Sequence, residues 1–317
     1  MNALVVDDFK KTPLWKRFQE PTAGEGEVVV QVTASALSNL VKAQSNGTHY
    51  SSVGSFPFVP GVDGTGRLID GTRVYFFSPK RPFGAMGEQS LVRKNLYVEL
   101  PDNLPDAAAA ALANPVMSSW AALTRRAMFV PGEAVLINGA TGTSGKLAVQ
   151  VAKHLGAGKV IAAGRNEKVL ESLGADQTIS LSAPPEELAK RFRSAIHDHG
   201  VTVVLDYLWG ASAEALIAAI GGPGGKHSDR RIRFVQIGSI SGNTIPFSAS
   251  AVRSTALEII GSGLGSVSDV ELVRSIGEAF AVAVPAGFQV DTEQVKMSLG
   301  ESAWPRDYGK KRLVFTL

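Results

Sequence analysis

Ala134-Val135-Leu136-Ile137-Asn138 runs directly into Gly139-Ala140-Thr141-Gly142-Thr143-Ser144-Gly145, and Lys146-Leu147-Ala148-Val149-Gln150-Val151-Ala152-Lys153-His154-Leu155 follows. The first five residues are a short apolar run suited to a strand buried on both faces. The last ten carry the apolar spacing of a helix. The glycine-rich turn between them offers what a phosphate requires: close backbone approach, unpaired N–H groups and the positive end of a helix dipole. Its spacing, Ala140-x-Gly142-x-x-Gly145, departs from G-x-G-x-x-G at the first glycine, so the motif carries little weight by itself. Its place between a strand and a helix of one βαβ unit is what strengthens it. A turn that only lets the helix pack on the sheet is the competing reading.

Outward from this turn the same alternation continues. The pattern predicts a second strand at 159–163, a helix over 167–173, a strand at 177–180, a helix over 185–196, a strand at 202–206, a helix over 211–220 and a strand at 233–237. Alternating β and α elements imply a parallel sheet covered by helices on both faces, an α/β doubly wound Rossmann arrangement. The first hundred residues read differently, as short strands punctuated by Gly61, Gly64, Gly66 and Gly71. Between 106 and 128 the texture becomes that of packed helices, which places a domain junction there. After Ser262 a helix over 267–281 and a terminal strand, 312–317, are expected, and the apolar last residues need a sheet, for which the first segment is a plausible host.

The end of the second strand reports on the nucleotide. A site for NAD usually has Asp or Glu there, about twenty residues past the glycine turn, holding the ribose hydroxyls. Here the strand ends Ala162-Ala163-Gly164-Arg165-Asn166-Glu167-Lys168. Gly164 replaces the acid and a guanidinium follows at once. A 2′-phosphate would be repelled by a carboxylate and can be clamped by paired hydrogen bonds from Arg165, with Lys168 nearby. NADPH is therefore expected over NADH. The competing reading leaves Arg165 solvated and gives the acidic role to Glu167.

Composition excludes several other classes. Basic and acidic residues number 32 and 29, a near balance that argues against nucleic acid as a partner. The densest basic spot, His227-Ser228-Asp229-Arg230-Arg231-Ile232-Arg233, follows a glycine-rich stretch and reads as a solvated loop entering a strand. With no cysteine in the chain, disulfides, thiolate nucleophiles and Cys-ligated zinc are excluded. The first residues carry no basic n-region, and no stretch is apolar over a bilayer's width, so a cytoplasmic protein without a membrane partner is expected. His49, His154, His197, His199 and His227 are scattered, and His197-Asp198-His199 reads as an ordinary helix end before Gly200, so no metal site is expected.

Together with Pro60-Gly61-Val62-Asp63-Gly64-Thr65-Gly66, Gly71-Thr72-Arg73-Val74 and Leu173-Gly174-Ala175-Asp176, these residues resemble the medium-chain dehydrogenase/reductase superfamily, and within it the zinc-free quinone oxidoreductase branch. The resemblance implies a β-rich, GroES-like catalytic domain from residues 1–112 and 263–317 around a Rossmann domain of 113–262. It also implies a homodimer joined through the edge strand at 256–260. It brings Ser118, Tyr207, Gly238 and Ser239 to the cofactor beside Gly139, Ala140, Gly142, Thr143, Ser144, Gly145, Gly164, Arg165, Asn166 and Lys168. Val62 stands where zinc-dependent relatives have a ligand histidine.

Without a Lewis acid, drawing hydride from an alcohol is hard, whereas adding hydride to an enone or quinone needs placement and hydrogen bonding. The expected reaction is hydride transfer from NADPH to a quinone or α,β-unsaturated carbonyl, whose oxygen takes a hydrogen bond as charge develops. Asn39, Lys42 and Tyr50 lie in segments that match the family's nicotinamide side and are the candidate donors. The family often has an acid where Lys42 stands, and for all three a structural role is the alternative. An enoyl thioester reductase and a non-catalytic NADPH-binding sensor remain the other readings. Residues 51–58 and 83–87 are expected to line the substrate cleft. Trp209 is either a further lining residue or a core tryptophan.

Overall fold

The computed structural model describes residues 1–49, 52, 54–221, 230–309 and 311–317. Tyr50, Ser51, Val53 and His227-Ser228-Asp229 lie outside the described residues. The chain forms two compact units, Met1–Asn114 with Asp269–Leu317, and Pro115–Ser268.

In the first unit β1 (Asn2–Val5) and β2 (Leu14–Arg17) pair with each other. A seven-stranded sheet is built around β3 (Glu27–Ala36), which precedes α1 (Asn39–Ser45), β4 (Asp63–Arg67), β5 (Arg73–Phe77), β6 (Gln89–Arg93) and β7 (Tyr97–Glu99). Along β3 burial alternates from Val30 to Ala34, with Gln31 outward, as a half-covered strand requires. Asp63 is buried, and its Oδ2 accepts a 3.0 Å hydrogen bond from the Tyr75 hydroxyl. Burial pushes that carboxyl up to about 6.

The helix α2 (Asp106–Ala121) carries Pro115 inside it and runs into a wide turn at Ala122–Arg126. The second unit then alternates: β8 (Ala134–Asn138), α3 (Thr143–His154), β9 (Lys159–Gly164), α4 (Glu167–Ser172), β10 (Gln177–Ser180), α5 (Pro185–His199), β11 (Val201–Asp206), α6 (Gly210–Gly221), β12 (Ile232–Gln236), α7 (Ala249–Arg253) and β13 (Leu257–Gly261). Its six described strands are all parallel, in the order β10-β9-β8-β11-β12-β13. From β8 the chain builds outward to one side and from β11 to the other, so the order reverses between them. Open α/β sheets bind ligands beyond the carboxyl ends of the strands at such a reversal. Every residue of β8 is buried, which explains its unbroken apolar run.

The chain closes with α8 (Asp269–Ala283), β14 (Thr292–Lys296), α9 (Gly300–Ala303) and β15 (Arg312–Thr316). β15 pairs antiparallel with β3, Val314 facing Ala36, which gives the apolar last residues the sheet they need. Among the described residues no helix is long and apolar enough to cross a membrane.

Two expectations are corrected. The helix after the glycine turn starts at Thr143 rather than Lys146, because Thr143-Ser144-Gly145 form its first turn without apolar periodicity. The basic run is not wholly solvated either. Arg233 lies on β12 with only 7% of its side chain exposed, pairs with Glu133 and donates to the Ala127 carbonyl at 2.6 Å. Arg231 remains outside, paired with Glu258. The end of α5 is as expected, closed by Gly200 at φ 66°.

Candidate functional site

Several of the residues singled out in the second unit converge at the carboxyl ends of β8, β9, β11 and β12. Gly139 leaves β8 at φ 95°, a conformation that favours glycine. The N–H groups of Gly139 and Ala140 both donate to the Ala163 carbonyl on β9, at 3.0 and 2.8 Å, fixing the turn to the neighbouring strand. Gly142 is the N-cap of α3 with no side-chain cap, and no acidic residue occupies the first helical turn. By contrast Glu167 stands in the first turn of α4, and Glu186 and Glu187 in that of α5. The positive end of α3 is thus the one left uncompensated among these three.

The turn's glycines serve different purposes. A Cβ on Gly145 would sit 2.2 Å from the Gly139 carbonyl oxygen, so glycine is required for the turn to pack on its own helix. Gly142 has an ordinary φ of −78°, and a Cβ there would meet nothing closer than 3.6 Å. Nothing inside the protein demands glycine at 142. Its absence of a side chain keeps the outer face of the turn open to an approaching group, and the residues present fit a dinucleotide pyrophosphate.

Gly164 ends β9 in a buried position, and Arg165, Asn166, Glu167 and Lys168 that follow are exposed. Asn166 caps α4, its Oδ1 accepting from the Val169 N–H at 3.1 Å. Arg165 and Lys168 form no hydrogen bond or ion pair among the described residues, so their charges are available to an external anion. Lys168 is the second residue of α4 and stands in its first turn, rather than one turn into it.

Between β8 and β11 lies a buried polar network that sequence reading did not find. Asn138 Nδ2 donates to Asp206 Oδ1 at 2.8 Å and to Ser212 Oγ at 2.9 Å. The Asp206 carboxylate also accepts from the N–H groups of Leu208, at 3.1 Å, and Trp209, at 3.1 Å. It therefore holds the turn after β11, in which Trp209 adopts φ 57°. Beside it the Tyr207 hydroxyl lies 3.2 Å from Ser118 Oγ, which itself donates to the Pro115 carbonyl at 2.7 Å. Burial pushes the Tyr207 hydroxyl far up, so it stays protonated and acts as a donor. A Cβ on Gly238 would sit 2.7 Å from the Tyr207 carbonyl oxygen, which puts the end of β12 against this turn, with Ser239 exposed next to it. The signal for the network was faint: a polar Asn ending an apolar strand.

Burial pushes the Asp206 carboxyl up to about 6 against the opposing pull of its N–H donors. A carboxyl raised in the folded state favours folding most when protonated, and that contribution is lost as pH rises through its folded value. Relative to Asp206→Asn, the wild-type protein is expected to lose ~2 kcal/mol of stability between pH 4 and 6.5 and to stay level above. Thermal unfolding of both proteins across that range checks it; parallel curves would show that Asp206 does not titrate there.

In the first unit Asn39 and Lys42 lie on α1, whose N-cap Ser38 accepts from the Val41 N–H at 3.1 Å. Asn39 is exposed and Lys42 half-buried, and neither makes a side-chain hydrogen bond or ion pair among the described residues. Tyr50, the third candidate, lies outside the described residues. The expectation that 83–87 lines a cleft fails for Ala85 and Met86, which are fully buried and donate their N–H groups to Gly61 and Pro60. Trp209 packs edge-on to Phe234 at 6.3 Å against the core of the second unit.

Residues 145–278 match the family described as zinc-binding dehydrogenase. The chain is 30% identical to a probable NADPH-dependent quinone reductase, tdiC, of Emericella nidulans, across 86% of this chain and 87% of that one. The chain belongs to the medium-chain dehydrogenase/reductase superfamily, in its quinone oxidoreductase-like branch. The chain is also 29% identical to the chloroplastic NADPH-dependent alkenal/one oxidoreductase of Arabidopsis thaliana, over 71% of this chain and 64% of that one. Among solved structures, the quinone oxidoreductase of Thermus thermophilus, determined also as its complex with NADPH, superposes with a TM-score of 0.79 at 26% identity over the full length of both chains. The medium-chain dehydrogenase/reductase architecture accounts for both the parallel six-stranded sheet and the mainly antiparallel one.

Proposed function

We propose that this protein is an NADPH-dependent reductase that works without zinc and delivers hydride to a quinone or to an α,β-unsaturated carbonyl. One observation carries the cofactor preference: the strand that should end in an acid ends in a buried glycine, followed by two exposed cations that no other described group engages. The two relatives and the solved structure named above, whose descriptions specify NADPH and quinones or alkenals, support the same reading. The family's description names zinc, but this chain has no cysteine, and Val62 occupies the place of a ligand histidine.

Bound NADPH supplies the hydride. The chain's own residues bind and orient. Thr143, Ser144 and Gly145 present backbone N–H groups and the end of α3 to the pyrophosphate, on a turn that Gly139, Ala140 and Gly142 shape through their own N–H bonds to Ala163 and Gly139. Gly164, Arg165, Asn166 and Lys168 receive the 2′-phosphate, and Ser118, Tyr207, Gly238 and Ser239 complete the cofactor face. Asn39 and Lys42 in the β-rich, GroES-like unit, together with Tyr50, are the assigned hydrogen-bond donors to the oxygen on which charge develops. β13, at the edge of the described sheet, is the assigned contact of a homodimer.

Oxidation of NADPH in the presence of a simple quinone and of a small enone tests the activity. Turnover with one or both is expected. Tight NADPH binding without oxidation by either would make the protein a sensor and overturn the reductase reading.

A further inference from the structure

Gly164 is filled from outside its own strand. A Cβ built there would lie 2.4 Å from Thr141 Cγ2, 3.0 Å from Thr141 Oγ1 and 3.3 Å from Leu170 Cδ2. Backbone strain is not the obstacle, because Gly164 is absent from the glycines at positive φ. Thr141 is the second residue after Gly139 in the turn that follows β8, so its side chain reaches across to the end of β9. There it occupies the volume where a side chain on residue 164 would begin. Thr141 is β-branched and therefore stiff at χ1, and its turn is anchored by the N–H groups of Gly139 and Ala140 on Ala163.

We propose that Thr141 is a positioning residue that holds residue 164 to glycine: it fills the volume from which an acid would hold the ribose hydroxyls of NADH, so that a switch of nucleotide needs Thr141 changed together with residue 164. The proposal rests on the assignment of this site to NADPH and adds to it a packing constraint separate from charge. The cations Arg165 and Lys168 favour the phosphorylated ribose. Thr141 leaves no room for a carboxylate at residue 164. Charge and packing are separable, because deleting the cations leaves residue 164 without an acid and yields weak binding of both nucleotides rather than a preference for NADH.

The test is a double-mutant cycle read by fluorescence titration with NADPH and with NADH, together with thermal unfolding without nucleotide. Gly164→Asp alone is expected to lower the melting temperature and to gain no NADH affinity. Adding Thr141→Ala to it removes the colliding atoms, and the double variant is expected to recover most of the melting temperature. It should bind NADH at least tenfold more tightly than the wild type while losing NADPH. Equal NADH gain in Gly164→Asp with and without Thr141→Ala would overturn the proposal, as would a folded double variant with no gain. Should Gly164→Asp fail to fold, Gly164→Ala serves in its place, and an unchanged melting temperature for it would show that Thr141 does not press on residue 164. Failure of the underlying assignment looks different, since the wild-type protein would then bind neither nucleotide while the melting-temperature cycle between 141 and 164 remained.

Discussion

Gly145→Ala is expected to remove NADPH binding, with an affinity loss of at least ~100-fold and a loss of about 2–4 kcal/mol in stability. The added methyl would lie 2.2 Å from the Gly139 carbonyl oxygen and 2.7 Å from the Ala140 Cα. Both are backbone atoms, and neither residue is free to withdraw, because each N–H is hydrogen-bonded to Ala163. The strain has to be relieved by moving the start of α3 away from β8, which disperses the N–H groups that face the pyrophosphate. Gly142→Ala is the informative control. It has internal room and an ordinary backbone, so it should unfold within a degree or two of the wild type and still bind NADPH less well. Thermal unfolding and fluorescence titration of the two variants separate packing from ligand contact. Wild-type affinity in Gly145→Ala would mean that the turn does not hold the nucleotide.

Arg165→Ala is expected to weaken NADPH binding ~10- to 100-fold while leaving NADH binding within a factor of about two, the range of a lost charge-assisted hydrogen bond to phosphate. The side chain is exposed and engages no other described group, so its removal leaves stability unchanged and the effect is confined to the anion. Lys168→Ala, at the second residue of α4, should give a smaller loss, since an ammonium offers a point charge rather than a paired fork. Both losses should shrink as salt is added, because the site is open to solvent. Parallel titrations with the two nucleotides at low and high salt provide the measurement. Equal weakening of NADH and NADPH would assign Arg165 to the shared part of the nucleotide and withdraw the basis for selectivity.

The course of the second unit was legible because its signals are local. β8 falls on the residues its apolar run marks, β10 on those the β/α alternation assigns to a strand, and α5 ends at the glycine that its sequence announces. Helix α3 began earlier than its hydrophobic pattern, since the first turn of a helix that faces a ligand is built from small polar residues and glycine. What could not be read was set by register between distant strands. Asn138 meets Asp206 only because β8 and β11 align these two residues as partners. Arg233 looked like one more solvated cation until β12 carried it inward to Glu133. Thr141 belonged to a motif in which its position is written as any residue. In the first unit α1 could be assigned no more than candidate donors, because reach to a substrate depends on geometry that no short motif encodes.

The interleaving of the two units along the chain also bears on how the protein is made. β3 obtains its neighbour β15 only after residue 312 has been synthesised, whereas every strand of the parallel sheet lies between residues 134 and 261. A chain emerging from the ribosome therefore has the whole nucleotide-binding half available for folding while one flank of β3 still waits for its partner. During that interval an open strand edge is presented to the cell, and pairing across so long a sequence separation is intrinsically slow. The order of events favours completion of the inserted half first, with the enclosing sheet sealed last.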